Sequence, residues 1–489
     1  MVPTLLGLRV FFAKTLAVVG IGILLLAPLA VLGNQGAEQN GTVGSSHLAA
    51  HAVAVQSRGA PHAPIHISGN DDFASQAANE SWPGDGTEQN PYIIAGYEID
   101  ANGGTYCIWI ENTDVWFIVR DCKVWNATNT ASEPYGTGIY LYNVSHGTLA
   151  NNNCSGNSKY GIYLGSSSNN TLTNNICFAN SWSGGISLAS GIFLASSNSN
   201  HIRNNNCSSN SDNGIYLEYS SNNKIMNNTC SQNSHSGIRV EYSSNNIIDN
   251  NTCFSNNIRG IYTSDSNTTL NNNSCYSNGC GMEITGSQII IMHNNCSCNY
   301  GVGIDLYTSN SVIAYNDLYR NGGYAIKCGG THNQIHHNNF IENNGATGSA
   351  IPYSQCEDFR GDNLWYDPET KEGNYWSNWN GKGAYKIDGY GEDIYPLEHK
   401  IGEESLEWLY WLIAVIVIIA IVICIAIFVV RRHKKKQIEV ATMEDRTVEL
   451  GDRETAVPVV QGEEMVCSRC GASIPGDANY CPFCASKVR

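Results

Sequence analysis

GIYLEYSSNNKIMNNTCSQNSHS, residues 214–236, is one copy of a sentence that the chain repeats from Gly138 to about Asn344: GIYL, a polar Ser/Asn turn, an apolar residue, then NNxC. Gly191, Gly214, Gly237 and Gly260 open successive copies 23 residues apart, and Gly138 to Gly161 is another such step. A period of this length marks stacked units that bury their apolar faces only against one another. The unit is too short for two packed helices. It alternates apolar with exposed residues and is full of Asn, Ser and Gly, so each copy reads as short strands joined by turns. Stacking such copies predicts an all-β solenoid, a parallel β-helix.

Side chains two apart share a face of a strand. Laid over one another, the copies place Ile162, Ile192, Ile215, Ile238 and Ile261 inward with Leu164, Leu194, Leu217 and Val240. Tyr140, Tyr163, Phe193, Tyr216 and Tyr262 then point outward. A second strand is expected to bring Leu172, Ile202, Ile225 and Ile247 into one column, and a third to align Cys154, Cys177, Cys207, Cys230, Cys253, Cys275 and Cys296. The longer step from Gly161 to Gly191 is absorbed in a turn insertion, SWSGGIS.

The 489 residues leave room for more than this array. A net charge of −16 with 14% charged residues argues against nucleic acid as partner, since a backbone binder concentrates Lys and Arg. Residues 1–33 carry Arg9 and Lys14 before an apolar run and read as a signal peptide or signal anchor. Residues 34–63 lack periodicity and read as a disordered lead. The β-helix is placed at 64–400. Residues 409–430 are long and apolar enough to cross a bilayer once, and the RRHKKK that follows predicts a cytosolic tail with the repeats outside. Residues 431–464 form this basic stop-transfer and a flexible linker. In 465–489, Cys467-x2-Cys470-x10-Cys481-x2-Cys484 offers two paired-thiolate knuckles, the ligand set of a structural Zn2+ ribbon. Gly471 and Pro482 suit its turns. The role expected of this ribbon is docking a cytosolic protein partner.

Two stretches flanking the repeats resemble a known family. The leading segment 65–100, with WPGDGTEQNPYIIAGYEID, and the closing segment 363–397, with NLWYDPETKEGNYWSNWNG, are similar to those of right-handed β-helix proteins of the NosD type. The resemblance covers roughly residues 64–397 and implies a right-handed solenoid from a wider set of carbohydrate-binding proteins and sugar hydrolases. It also implies an alternative role, since the NosD namesake is periplasmic and assists copper-site assembly. The chain departs from the namesake in its membrane span and zinc tail, and in the closing segment, where Asp388 and Asp393 stand among Lys382, Tyr385 and Lys386.

Several constellations are candidates for chemistry. The cysteine column offers soft thiolates that suit Cu(I), but rungs about 4.8 Å apart all point into the core, where Cys acts as a small hydrophobe. Cys280 and Cys298 lie off the column and are the better disulfide candidates. The Asn pairs before each cysteine are expected to hydrogen-bond along the stack. Glu218 with Glu241, and Glu283 with Asp305, share outward columns on neighbouring coils. Each pair would hold like charges about 4.8 Å apart, which raises one pKa and is the raw material of a polysaccharide hydrolase or lyase; a solvated surface is the competing reading. His332, His336 and His337 offer imidazoles, yet strand alternation sets His336 and His337 on opposite sides, away from a shared ion. Asn126, Asn143 and Asn267 head glycosylation sequons. Finally, Tyr140, Tyr163, Phe193, Tyr216 and Tyr262 form a stripe for stacking sugar rings, flanked by Arg239, Glu283, Asp305 and Lys327. Ring-on-ring packing that merely covers the sheet is its alternative. The function these features favour is a membrane-anchored surface protein that binds or scaffolds envelope components, glycans or another surface protein, without catalysis as the first expectation.

Overall fold

The computed structural model describes residues 59–128, 136–181, 189–346, 353–402, 407–448, 464–475, 479–484 and 487. The expected signal at 1–33, most of the lead, and all but the first residue of the SWSGGIS insertion lie outside them. From residue 60 the chain winds through three parallel sheets, and each coil contributes one strand to each in turn. We call them sheet 1, which carries GIYL, sheet 2, which follows the Ser/Asn turn, and sheet 3, which carries the cysteines. They contain 13, 11 and 13 strands among the described residues. Every pairing between neighbouring coils is parallel and in register, as in Ile215 opposite Ile238 and Leu217 opposite Val240.

The inward columns are as the period predicts. Ile162, Ile192, Ile215, Ile238, Ile261, Leu164, Leu194, Leu217 and Val240 are fully buried. One column is corrected: Ile225 pairs with Ile248, while Ile247 lies opposite Lys224 and is exposed. The repeat of 23 residues places the rung at 248, and a one-residue slip turns a side chain to the other face. The cysteine column runs Cys154 to Cys296, all buried and free. It is continued by Val124 at one end and by Leu318, Phe340 and Trp376 at the other. Thiols therefore occupy the rungs of a hydrophobic column, and burial holds Cys154, Cys207, Cys230 and Cys275 protonated. Cys280 and Cys298 are likewise free.

Three asparagine ladders line the corners. In the one before the cysteines, Asn205 Oδ1 accepts from Asn175 N at 2.9 Å, and its Nδ2 donates to Asn228 Oδ1 and to Leu172 O, both at 3.0 Å. The other two run through Asn180, Asn210 and Asn233, and through Asn170, Asn200 and Asn223. Each buried amide is thus satisfied on both sides, which is what makes a polar interior tolerable. These ladders also explain the glycine that opens each copy. A Cβ at Gly214 would lie 2.6 Å from Gly237 O and 2.9 Å from Asn233 Nδ2, so no side chain fits.

The ends are closed by different means. Helix α1 (Asn70–Glu80) covers the first coils, with Phe73 buried and stacked on Tyr92 at 5.0 Å. At the other end Asn363, Asn374 and Gln355 supply the last rungs of the three ladders. Asp358 and Asp393 are buried there, each accepting a Trp indole N–H at 2.9 Å, from Trp365 and Trp376. Asp393 of the closing segment is therefore a structural acceptor. Ala60 and Pro61 already pair with Tyr97 and Glu98, inside the lead expected to reach residue 63, because the first coil offers them free sheet edge. Helix α2 (Glu407–Val448) holds an apolar window, Leu412–Arg432, of mean hydropathy 3.8. Its 21 residues span about 31 Å at 1.5 Å per residue, the thickness of a bilayer core. The helix runs on to Val448 through residues expected to form the linker.

Candidate functional site

The outward face of sheet 1 is one continuous column. Trp109, Tyr140, Tyr163, Phe193, Tyr216, Arg239, Tyr262, Glu283, Asp305 and Lys327 succeed one another in register. Its first half is aromatic and closed. Tyr140 stacks on Tyr163 at 4.8 Å and Phe193 on Tyr216 at 4.8 Å, while Tyr160, two residues before Ile162, tilts against both Tyr163 and Phe193. Tyr140, Tyr163, Phe193 and Tyr216 are buried, and Tyr262 alone of the expected stripe is half-exposed. The rings point where the period says, but the faces a sugar would need are occupied by other rings.

The second half is charged. Arg239 lies 2.9 Å from the Glu241 carboxylate, which also accepts from Tyr216 Oη at 2.9 Å. Arg259 grips Glu283 through Nε at 2.5 Å and Nη2 at 3.1 Å. The two guanidinium groups flank the Tyr262 ring at 5.8 and 4.7 Å. Glu218 does pair with Glu241, and Glu283 with Asp305, in register. Neither pair is the bare couple of like charges expected, because Glu241 and Glu283 each carry an arginine. Burial raises the Asp305 carboxyl, opposed by the charge of Lys327.

The exposed aromatic surface is one residue further on. Tyr219 and Tyr242 follow Glu218 and Glu241 at the corner between sheets 1 and 2, both with positive φ. They stack at 5.0 Å with 14° between planes and are 57% and 64% exposed. The same corner position in earlier coils is held by Asn112, Asn143 and Ser166. These line an open polar groove with Asn70, Thr113, Asp114, Ser145 and Ser168. Asn126, Asn143 and Asn267 are exposed at corners, where a glycan would have room.

The histidine expectation is also corrected. The sheet 2 strand Gln334–His336 ends before His337, which takes φ +54°. That corner breaks the alternation and brings the rings together, with Nδ1 to Nδ1 at 2.7 Å. Asp367 joins them, the three ligand atoms lying within 4.8 Å of one another. In the tail, the four Sγ of Cys467, Cys470, Cys481 and Cys484 also lie within 4.8 Å of one another, with Cys467 to Cys484 at 3.7 Å and Cys470 to Cys481 at 3.6 Å. Four sulfurs about 2.3 Å from a tetrahedral ion would stand about 3.8 Å apart, so the set fits a metal such as Zn2+. Gly471 takes φ +74° in the first knuckle, where the hairpin of Glu464–Val466 and Ser473–Pro475 turns.

A family model for the right-handed β-helix region matches residues 106–274, and one described as periplasmic copper-binding protein (NosD) matches 236–381. The two matches run unbroken across the coils just described. The solenoid is a NosD-like right-handed β-helix. No curated protein matches the chain. Among solved structures, the Dettilon tailspike protein is similar with a TM-score of 0.41 at 17% identity, over 57% of this chain and 60% of that one. An Azotobacter vinelandii mannuronan C-5 epimerase A-module gives 0.42 at 13%, over 70% and 90% of the two chains. The Streptococcus pneumoniae surface adhesin PfbA gives 0.35 at 13%, over 51% and 79%.

Within the NosD-like coils, sequence reading missed the Tyr219–Tyr242 pair, the Asn ladder in the Ser/Asn turn and the Asn ladder after the cysteines. The last had a signal, C-x-x-N, in CSSN (207–210), CSQN (230–233) and CFSN (253–256). So did the tyrosines, which recur 23 residues apart.

Proposed function

We propose that the protein is a single-pass surface protein whose NosD-like solenoid stands outside the membrane and binds envelope glycans along the corner between sheets 1 and 2. The observation that carries this reading is the exposed Tyr219–Tyr242 stack at the same corner as the Asn- and Ser-lined groove. Aromatic faces take up the apolar face of a sugar, and amides and hydroxyls fix its hydroxyl groups. Exposed paired rings beside a polar groove suit an extended, uncharged or weakly charged chain. Hydrolysis would need two carboxyls facing the sugar about 5–10 Å apart, and the arginine partners of Glu241 and Glu283 argue for binding without cleavage. Copper delivery by the cysteine column is disfavoured too, because its thiols are sealed in the core. The cytosolic side of α2 is set by RRHKKK, with Zn2+ as the metal of the four-cysteine module.

A glycan array probed with the detergent-purified full chain should retain selected polysaccharides, and Tyr219→Ala with Tyr242→Ala should weaken retention at least about tenfold at unchanged Tm. Retention indifferent to both substitutions would remove this corner as the site. Protease added to intact cells should shave the solenoid and spare a tag placed after Arg489; loss of the tag would reverse the orientation.

A further inference from the structure

His336 and His337 close the last strand of sheet 2, and the hairpin of residues 367–372 folds over them. Asp367 N donates to Glu372 O at 2.8 Å, and His337 N donates to Gly373 O at 2.6 Å, tying the hairpin to the corner. The His337 ring is fixed from two sides. It stacks on Tyr315 at 4.9 Å, and its Nε2 lies 2.8 Å from Glu372 Oε2. A carboxylate can only accept, so Nε2 carries the proton and Nδ1 is left with its lone pair. That lone pair faces His336 Nδ1 at 2.7 Å, with the Asp367 carboxylate alongside. Without a cation, one proton on His336 Nδ1 bridges the two rings.

We propose that His336, His337 and Asp367 form a binding site for a divalent cation of borderline hardness such as Zn2+. Two imidazoles and a carboxylate are a ligand set for such ions, whereas Cu(I) would seek sulfur. Glu372 is a positioning residue. A carboxylate on the far nitrogen of a ligating histidine fixes its tautomer and raises its basicity. With metal–nitrogen bonds of about 2.0–2.1 Å, tetrahedral ligands stand about 3.3 Å apart, so the two nitrogens, now 2.7 Å apart, separate by about 0.6 Å as the ion takes the place of the bridging proton, which passes through solvent to His336 Nε2. Three protein ligands leave the fourth position to water, the pattern of an open site. The sequence hides this set, since the two acids stand 30 or more residues beyond the histidines in the turn DPETKE.

The full chain in detergent, stripped by chelator and reloaded with Zn2+, should hold two ions by elemental analysis, one on the four cysteines and one here. The Cys470→Ser/Cys484→Ser double variant should keep one. Loaded with Co2+, that variant should show weak visible bands without the intense sulfur-to-metal charge transfer of the tail site. Adding Asp367→Asn, at a half-exposed position that leaves the core filled, should abolish the remaining ion at unchanged Tm, and Glu372→Gln should weaken it about 10- to 100-fold. No metal on the double variant, or an ion whose affinity ignores both Asp367→Asn and Glu372→Gln, would overturn the site.

Discussion

From Trp109 to Tyr216 the outward column of sheet 1 is a closed stack of rings; from Arg239 to Lys327 the same column is mostly charged, with Arg239 paired to Glu241 and Glu283 to Arg259. The backbone register does not change between them, nor does the apolar column behind, where Ile215 meets Ile238 and Ile261 meets Met282. What changes is the side chain three residues before the outward position. In the first half it is Tyr160, whose ring fills the space beside Tyr163 and Phe193. In the second it is Arg259, whose guanidinium reaches across to Glu283. A solenoid coil therefore sets the direction of a side chain, while the adjacent column decides whether that side chain meets solvent. Exposed aromatic surface accordingly moves to the corner, where Tyr219 and Tyr242 are 57% and 64% exposed.

The strongest way to break this contrast is to truncate one ring in each half. Tyr163→Ala removes a buried ring that touches three others and leaves a cavity, with an expected cost of about 3 kcal/mol. Tyr262→Ala removes a half-exposed ring between two arginines that keep their carboxylate partners, and should cost about 1 kcal/mol. Chemical denaturation of the full chain measures both. Equal losses would mean that the two halves are packed alike and that the arginines cover Tyr262 as tightly as rings cover Tyr163.

The interior was legible because two periods, 2 along a strand and 23 along the chain, pin the inward columns independently. Ile247 shows the limit: two isoleucines in a row satisfy the composition of the column, and only the longer period selects Ile248. Exposure was not legible, since it depends on contacts between columns, such as Tyr160 on Phe193, that no single repeat contains. The pairing of His336 with His337 was hidden by assuming continued strand alternation. Spacing held the clue, because Asn227, Asn250, Asn272, His293, Tyr315 and His337 are successive corner residues, all with positive φ. The four-cysteine cluster was the easiest to find, since its ligands lie within one short stretch.

An effect no larger than that of Tyr262→Ala, and smaller still at low pH, comes from one acid at the corner. Ser167, Ser197, Ser220 and Ser243 form a corner ladder in which each hydroxyl accepts the preceding backbone N–H, and Asp265 takes the next rung by accepting from Ser243 N at 2.6 Å. Its other oxygen, Oδ2, is buried without a hydrogen-bond partner among the described residues. Burial pushes its carboxyl from an ordinary 3.8 up to about 6. Between those values the folded chain holds a proton that the unfolded chain has released, so this group favours folding at low pH and its contribution falls as pH rises toward 6. Asp265→Ser restores the serine rung and removes the charge. It should stabilise the chain by about 1 kcal/mol at pH 7, less than the shift alone implies because water still screens the group, and by less at pH 4. Some slope should remain, because burial also raises Asp212 to about 6 beside Arg239. Denaturation curves at pH 4, 5, 6 and 7 test this directly: a gain at pH 4 as large as that at pH 7 would show that Asp265 acts through packing and carries no buried charge.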